Sequence, residues 1–138
     1  MSIKQKADMK TTGIDRDKVI ATLHEYTREY AMTTNGSWLN DFDWISIPVD
    51  LKMFADPDVC GQYTFGVIFI MECGVPSVIF EIYVHELRHA WQKQKCLWKY
   101  LLGKIYRPLI ENRAYEEQEK AGEWIRQRSD LVVKYESN

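Results

Sequence analysis

The residues best suited to chemistry form one short run, His85-Glu86-Leu87-Arg88-His89, which is the HExxH pattern. Residues four apart lie one turn above each other on a helix, so both imidazoles can reach a single ion. Glu86 projects about 100° further round, beside such an ion, where a carboxylate can act as a general base toward water. Two of the three histidines of the chain fall in this run. The pattern therefore predicts a zinc site with Glu86 as its catalytic base.

A catalytic zinc site takes three protein ligands and leaves one position open, so a third ligand must come from elsewhere. The candidates are another His, Asp or Glu that a turn brings back to the site. His24, the remaining histidine, lies far upstream and fits better as a surface or packing residue. Glu111 follows a stretch long enough for the first helix to end, the chain to turn at Gly103 and a second helix to return.

These two segments together resemble the gluzincin branch of the zincin metallopeptidases, in a minimal form. In that group a second helix supplies a glutamate, often within an ExxA pattern, and Glu111 and Ala114 match that pattern here. The resemblance implies that His85, His89 and Glu111 bind Zn²⁺. It also implies that Glu86 acts as the general base in the hydrolysis of peptide bonds, with a peptide or protein as substrate.

The chain shares one further feature with this group, a strand that would lie beside the substrate, and it differs from the group at two positions. The run Gly61-Gln62-Tyr63 followed by Val67–Met71 is similar to the edge of the zincin sheet, which holds substrate in extended form. Arg88 stands where family members often carry a small residue, so a tightly packed neighbour or a salt bridge is expected there. Tyr115 stands where some members carry an acid that steadies the first histidine. The sequence therefore identifies no hydrogen-bond partner for the histidines.

A second electrophile is expected beside the zinc, and the sequence offers Tyr115, Tyr106 or Arg113. Tyr115 lies one turn after Glu111 on the same helix face and is nearest by spacing. We therefore predict Tyr115 as a second catalytic residue, beside Glu86.

Two other function classes compete with a peptidase. One is a zincin-like protein that binds zinc without cutting and serves as an interaction module. The other is a protein-interaction domain without a metal, in which HExxH is accidental. Glu86 argues against the first, because a structural zinc site needs no base and closes its fourth position with a protein ligand.

Composition sets further limits on the function. The formal net charge is −2, from 18 basic and 20 acidic residues, which gives no basic field for nucleic acid and no polybasic membrane anchor. Cys60, Cys73 and Cys96 form no CxxC pair and do not suggest a disulfide-stapled secreted domain. No signal peptide or membrane-spanning stretch is recognisable, so we expect a soluble, cytoplasmic protein. The oligomeric state is not predicted.

The helices and strands predicted from the sequence indicate an α+β fold. In this fold a small antiparallel or mixed sheet packs on the active-site helix, with further helices around it. One domain over residues 15–138 follows a flexible tail, residues 1–14. Glu116 to Lys120 is expected to be a solvated helix face. The predicted elements are a helix from Asp15 or Asp17 to about Tyr30, a strand within Asp43 to Leu51, a turn at Asp56-Pro57-Asp58, a strand from Gln62 to Met71 bent at Gly66, a helix from Pro76 to about Trp98, and a helix opened by Pro108 that runs from Leu109 to about Lys134.

Overall fold

The computed structural model describes residues 15–72 and 76–128, so the predicted tail lies outside the described residues. The prediction that the final helix runs to about Lys134 is wrong at its end, because that helix ends at Arg126 with Gln127 as its C-cap. The described chain is a small α+β fold in which helices pack on a three-stranded mixed sheet, as expected. Its regular elements are α1 (Arg16–Tyr30), β1 (Val49–Lys52), β2 (Gly61–Thr64), β3 (Val67–Met71), α2 (Pro76–Lys95), α3 (Leu97–Leu101) and α4 (Gly103–Arg126).

Helix α1 begins and ends where the sequence predicts. The Asp15 carboxylate accepts a hydrogen bond from the Lys18 backbone N–H at 3.2 Å, which satisfies one of the free donors of the first turn. Tyr26 and Tyr30, four residues apart, are fully buried and meet the ring of Phe80 edge-on at centroid distances of 6.0 and 5.9 Å. These aromatic contacts hold α1 against the central helix α2.

The sheet has the strand order β1-β3-β2, with β1 parallel and β2 antiparallel to β3. The prediction of one bent strand from Gln62 to Met71 is wrong, because the chain reverses at Phe65-Gly66 and forms a hairpin. Both turn residues have positive φ, +50° and +75°, which is the backbone of a two-residue hairpin turn. As a result, β2 lies at an edge of the sheet.

The predicted strand before it is also shorter than expected. Trp44–Ser46 forms a 3₁₀ turn, and strand pairing begins only at Val49. The Ser46 hydroxyl donates to the Asp43 carboxylate, and Pro48 has no N–H to give to a neighbouring strand. Trp44 is buried, so this apolar residue anchors a turn rather than a strand.

Helix α2 is the central element and contacts the sheet, α1 and α4. Its residues Ile79, Phe80, Tyr83, Val84 and Leu87 are at most 2% exposed, so one face of α2 is fully buried. The helix ends at Lys95 rather than at Trp98, and the short helix α3 follows.

The second long helix begins at Gly103, so the prediction that Pro108 opens it is wrong. Pro108 lies within the second turn, where its missing N–H removes one backbone hydrogen bond, and its side chain is exposed. Helix α4 runs antiparallel to α2, since Gln92 contacts Ile110 near one end and Glu81 contacts Arg126 near the other. This return brings Glu111 over the HExxH residues.

Candidate metal centre

Three ligand atoms converge where α4 crosses α2. His85 Nε2 lies 3.2 Å and His89 Nε2 lies 3.0 Å from Glu111 Oε1, and the two Nε2 atoms are 3.2 Å apart. Tetrahedral ligands at 2.0–2.1 Å from zinc are about 3.3 Å from one another, so the triangle has the size of one face of such a site. His85, His89 and Glu111 therefore form a group that can hold a metal ion.

Burial separates this group from ordinary surface residues. His85 and His89 are each 8% exposed, and the Glu111 side chain is 33% exposed. Polar groups taken out of water need a partner, and here each imidazole directs Nε2 to the same carboxylate oxygen. A site of this kind binds a cation in a setting with little competing water.

Gln92 fixes the proton on one of the two histidines. Its Nε2 donates to the Ile110 carbonyl at 2.9 Å, which leaves Oε1 directed at His89 Nδ1, also at 2.9 Å. A carbonyl oxygen only accepts, so His89 must carry its proton on Nδ1. Nε2 then has a free lone pair, which is the form that a metal requires. His85 Nδ1 has no such partner in the described part of the chain.

The charges in the group favour a cation between them. An imidazole that carries a proton on Nε2 donates it to Glu111, and such hydrogen bonds from His85 and His89 hold the pKa of the Glu111 carboxyl far below its usual range, despite partial burial. Burial lowers the pKa of His89, but the carboxylates of Glu111 and Glu86 outweigh it and raise that pKa above its ordinary value. Since Gln92 holds the Nδ1 proton, the space between His89 Nε2 and Glu111 accepts either a second proton or a metal ion.

Glu86 lies beside the group, and the hydrogen bonds among the three ligand atoms do not include its carboxylate. Its side chain is 6% exposed, and burial raises the pKa of the carboxyl, partly offset by His85 and His89. Gly61 of β2 passes directly over it: a Cβ at Gly61 would be 3.0 Å from Glu86 Oε2 and 2.5 Å from Ile82 Cγ2. A glycine is therefore needed for the edge strand to lie this close to Glu86.

The group and Glu86 open into one cavity of about 630 Å³ between β2, α2 and α4. Residues 58–63, which include most of β2, form one wall, and Val78 and Ile82 line the floor together with the HExxH residues. Tyr100 of α3 also lines the cavity. The α4 wall consists of residues on one helix face: Gly103, Arg107, Ile110, Glu111, Tyr115 and Gln118.

The structure separates the three candidates for a second electrophile. Tyr115 lines the cavity, and its ring meets the His85 ring at a centroid distance of 4.7 Å. Tyr106 instead packs on Trp98, and Arg113 pairs with Glu116 at 3.3 Å. Neither Tyr106 nor Arg113 lines the cavity.

Tyr100 and Gln92 are two residues of the site that the sequence reasoning missed. Burial raises the pKa of the Tyr100 phenol, as do the nearby Tyr63, Glu86 and Glu111. Tyr100 therefore stays protonated and can donate a hydrogen bond into the cavity. Neither residue belongs to a recognisable motif, so Tyr100 gives no sequence signal. Gln92 lies three residues after His89, and helix spacing alone could have placed it beside that histidine.

His24 and Arg88 contribute to packing rather than to the metal group. His24 packs between Trp44 and Tyr83 at centroid distances of 5.8 and 6.3 Å, which confirms its interpretation as a packing residue. The guanidinium of Arg88 lies 3.9 Å from the centre of the Trp91 ring, so Arg88 has the close neighbour that was expected.

Glu117 corrects the expectation of a solvated helix face between Glu116 and Lys120. It is only 8% exposed, and its Oε1 accepts a hydrogen bond from Trp38 Nε1 at 3.1 Å. Its charge also faces the partly buried Arg88. Glu116 and Lys120, in contrast, are exposed as predicted. Glu117 therefore belongs to the packing between α4 and the loop that carries Trp38.

Helices long and apolar enough to cross a membrane do not occur within residues 15–72 and 76–128. Comparison of the chain with protein-family models, with curated proteins and with solved structures found no match.

Proposed function

We propose that this protein is a zinc-dependent peptidase of the gluzincin type, with Zn²⁺ held by His85, His89 and Glu111. The observation that carries the proposal is the convergence of the three ligand atoms at 3.0–3.2 Å inside a cavity that also exposes the Glu86 carboxylate. Nitrogen and oxygen ligands of this kind suit zinc, and two histidines with one carboxylate is a ligand set used by catalytic zinc.

The residues of the chain divide the work of hydrolysis between them. A zinc ion in this site supplies a Lewis acid for the substrate carbonyl and lowers the pKa of water at the site. Glu86 accepts the proton of the attacking water, and its raised pKa makes it a stronger base than an exposed carboxylate. Glu86 then returns that proton to the leaving nitrogen. Tyr115 and Tyr100, which both line the cavity, can donate hydrogen bonds to the oxyanion that develops.

The position of β2 supports a binding place for the backbone of a peptide substrate. In the strand order β1-β3-β2, one edge of β2 pairs with β3 and its other edge has no strand partner among the described residues. Gly61, Gln62 and Tyr63 of that strand line the cavity. We propose that a peptide lies along this edge in extended form, since main-chain hydrogen bonds to an open edge bind a peptide with little regard to its side chains.

A comparison of Glu86→Gln with the wild type tests the proposal. Both proteins should contain about one zinc per chain, because Glu86 is not a ligand. We expect the variant to lose hydrolysis of a mixed peptide library by about a hundredfold or more, since general base catalysis contributes on that order. Glu119→Gln, an exposed glutamate of α4, is the matched control and should keep full activity.

Two results would contradict the peptidase proposal. Equal hydrolysis by the wild type and Glu86→Gln would remove Glu86 from the mechanism. Zinc binding in both proteins without cleavage of any peptide would favour the alternative of a zinc-binding interaction module.

A further inference from the structure

Arg107 is the one residue on the cavity wall that carries a fixed positive charge, among the residues that the structure describes there. It lies one helical turn before Glu111 on the cavity face of α4. Its side chain is exposed, and it takes part in none of the ion pairs found within the described ranges. An arginine that pairs with no acid in the described part of its chain is available to an acid of a ligand.

The surrounding sequence is cationic although the whole chain is not. Residues 87–110 contain six Lys and Arg and no Asp or Glu, within a chain whose net charge is −2. This stretch contains Tyr100, Gly103 and Arg107 of the cavity lining. Helix α4 begins at Gly103, so the positive end of its dipole lies on the same side. This end of the cavity therefore attracts negative charge.

The opposite end of the cavity has a different character. Because α4 runs antiparallel to α2, Gln118 lies on the side of Val78 and Ile82, away from Arg107. Asp58 precedes β2 and is the one acid of the lining other than Glu86 and Glu111. The α4 wall therefore carries a positive charge at its Arg107 end and none at its Gln118 end, which gives a substrate a direction.

We propose that Arg107 binds a carboxylate of the substrate, placed one or two residues from the scissile bond. This inference rests on the proposed function and names the class of substrate for that same site. Four residues of helix rise about 6 Å, and an extended peptide advances about 3.5 Å per residue, so the spacing from Glu111 to Arg107 matches that interval. The carboxylate is either the carboxyl terminus of a peptide or the side chain of Asp or Glu.

The geometry of arginine explains the preference for a carboxylate. The guanidinium is planar and presents two parallel N–H groups that match the two oxygens of a carboxylate. Lysine carries the same charge without that fork, so it should replace only part of the affinity.

Binding of peptide hydroxamates to the zinc-loaded full-length protein tests this inference without a turnover assay. The first pair of probes is a hydroxamate dipeptide with a free carboxyl terminus and the same compound with a terminal carboxamide. The second pair carries Asp or Asn with an amidated terminus, so the two pairs separate the two sources of the carboxylate. The variants are Arg107→Gln and Arg107→Lys, and Arg113→Gln, an exposed arginine of α4 off the cavity, is the matched control.

In the wild type and in Arg113→Gln, we expect at least one carboxylate probe to bind about tenfold more tightly than its amide. Arg107→Gln should abolish that preference, and Arg107→Lys should keep part of it. Equal binding of acid and amide in both pairs, or a preference that survives in Arg107→Gln, would overturn this inference alone. Failure of every hydroxamate to bind the zinc-loaded protein would overturn the proposed function, and this inference with it.

Discussion

Gln92 couples His89 to the backbone of α4, with Oε1 2.9 Å from His89 Nδ1 and Nε2 2.9 Å from the Ile110 carbonyl oxygen. Ile110 directly precedes Glu111, so one amide joins a histidine of the candidate metal site to the segment that carries the carboxylate of that site. The arrangement fixes the histidine tautomer and also the distance between the two helices at the site.

Replacement of Gln92 should therefore weaken zinc binding without removing a ligand. We expect Gln92→Leu to lower zinc affinity by about 10- to 100-fold, because His89 loses the acceptor that holds its Nδ1 proton. Gln92→Glu should retain an acceptor and lose less. Competition with a chromophoric chelator measures both affinities. Gln94→Leu, an exposed glutamine of the same helix, is the control, and an equal effect in the two leucine variants would argue against the tautomer role.

Zinc binding should weaken as the solution is acidified. The carboxylates of Glu111 and Glu86 raise the pKa of His89 against the effect of burial, and a proton on Nε2 must leave before an ion can bind. The competition is absent well above that pKa and grows as the pH falls through it. We expect the zinc dissociation constant, measured from about pH 8 to about pH 5, to rise steadily, with protons released on binding. A constant affinity over that range would contradict the arrangement.

Gly61→Ala tests the close passage of β2 over Glu86. The new methyl group would lie 2.5 Å from Ile82 Cγ2, so the edge strand must move away. Overpacking of this kind lowers the free energy of unfolding by about 1–3 kcal/mol, and here it also displaces the cavity wall next to Glu86. Thermal unfolding and peptide cleavage measure the two effects. Gly103→Ala, where a Cβ meets open space, should cause neither loss, and a harmless Gly61→Ala would refute the close contact.

Tyr115→Phe separates the hydroxyl of this residue from its ring. The phenylalanine ring can keep the contact with His85, so zinc affinity should not change. If the hydroxyl donates to the developing oxyanion, kcat should fall by about a hundredfold, as for other donors of this kind. Steady-state kinetics should include Tyr100→Phe in parallel. An unchanged kcat in Tyr115→Phe, with a fall in Tyr100→Phe, would assign the donor role to Tyr100.

The parts of the site that the sequence predicts are those set by short-range geometry. The spacing of His85 and His89 fixes their common face in any helix, and the helix itself follows from a nearly continuous apolar sequence. Glu111 could be proposed because the stretch after His89 is long enough for a second helix to return from a turn at Gly103, and because Glu111 and Ala114 resemble the gluzincin ExxA pattern. In the structure, ligand atoms of His85, His89 and Glu111 all lie within 4.8 Å of one another.

The parts that the sequence does not predict depend on contacts between residues far apart in the chain, or on backbone conformations that differ little in free energy. The positive φ angles of Phe65 and Gly66 turn one predicted strand into a hairpin, and Phe65 gives no sequence signal for such a conformation. Pro108 is tolerated inside α4 because it lies early in the helix with its ring in solvent. Glu117 looks like part of a charged surface, and only the position of Trp38 accounts for its burial.

The most direct test of the central claim is the metal content of the purified protein, by elemental analysis, for the wild type, His89→Ala and Glu111→Ala. We expect about one zinc per chain in the wild type, none in His89→Ala and a weakly held, substoichiometric amount in Glu111→Ala. Circular dichroism of each variant establishes that the fold is retained. No zinc in the wild type after incubation with the metal, or equal zinc in all three proteins, would contradict a site formed by His85, His89 and Glu111.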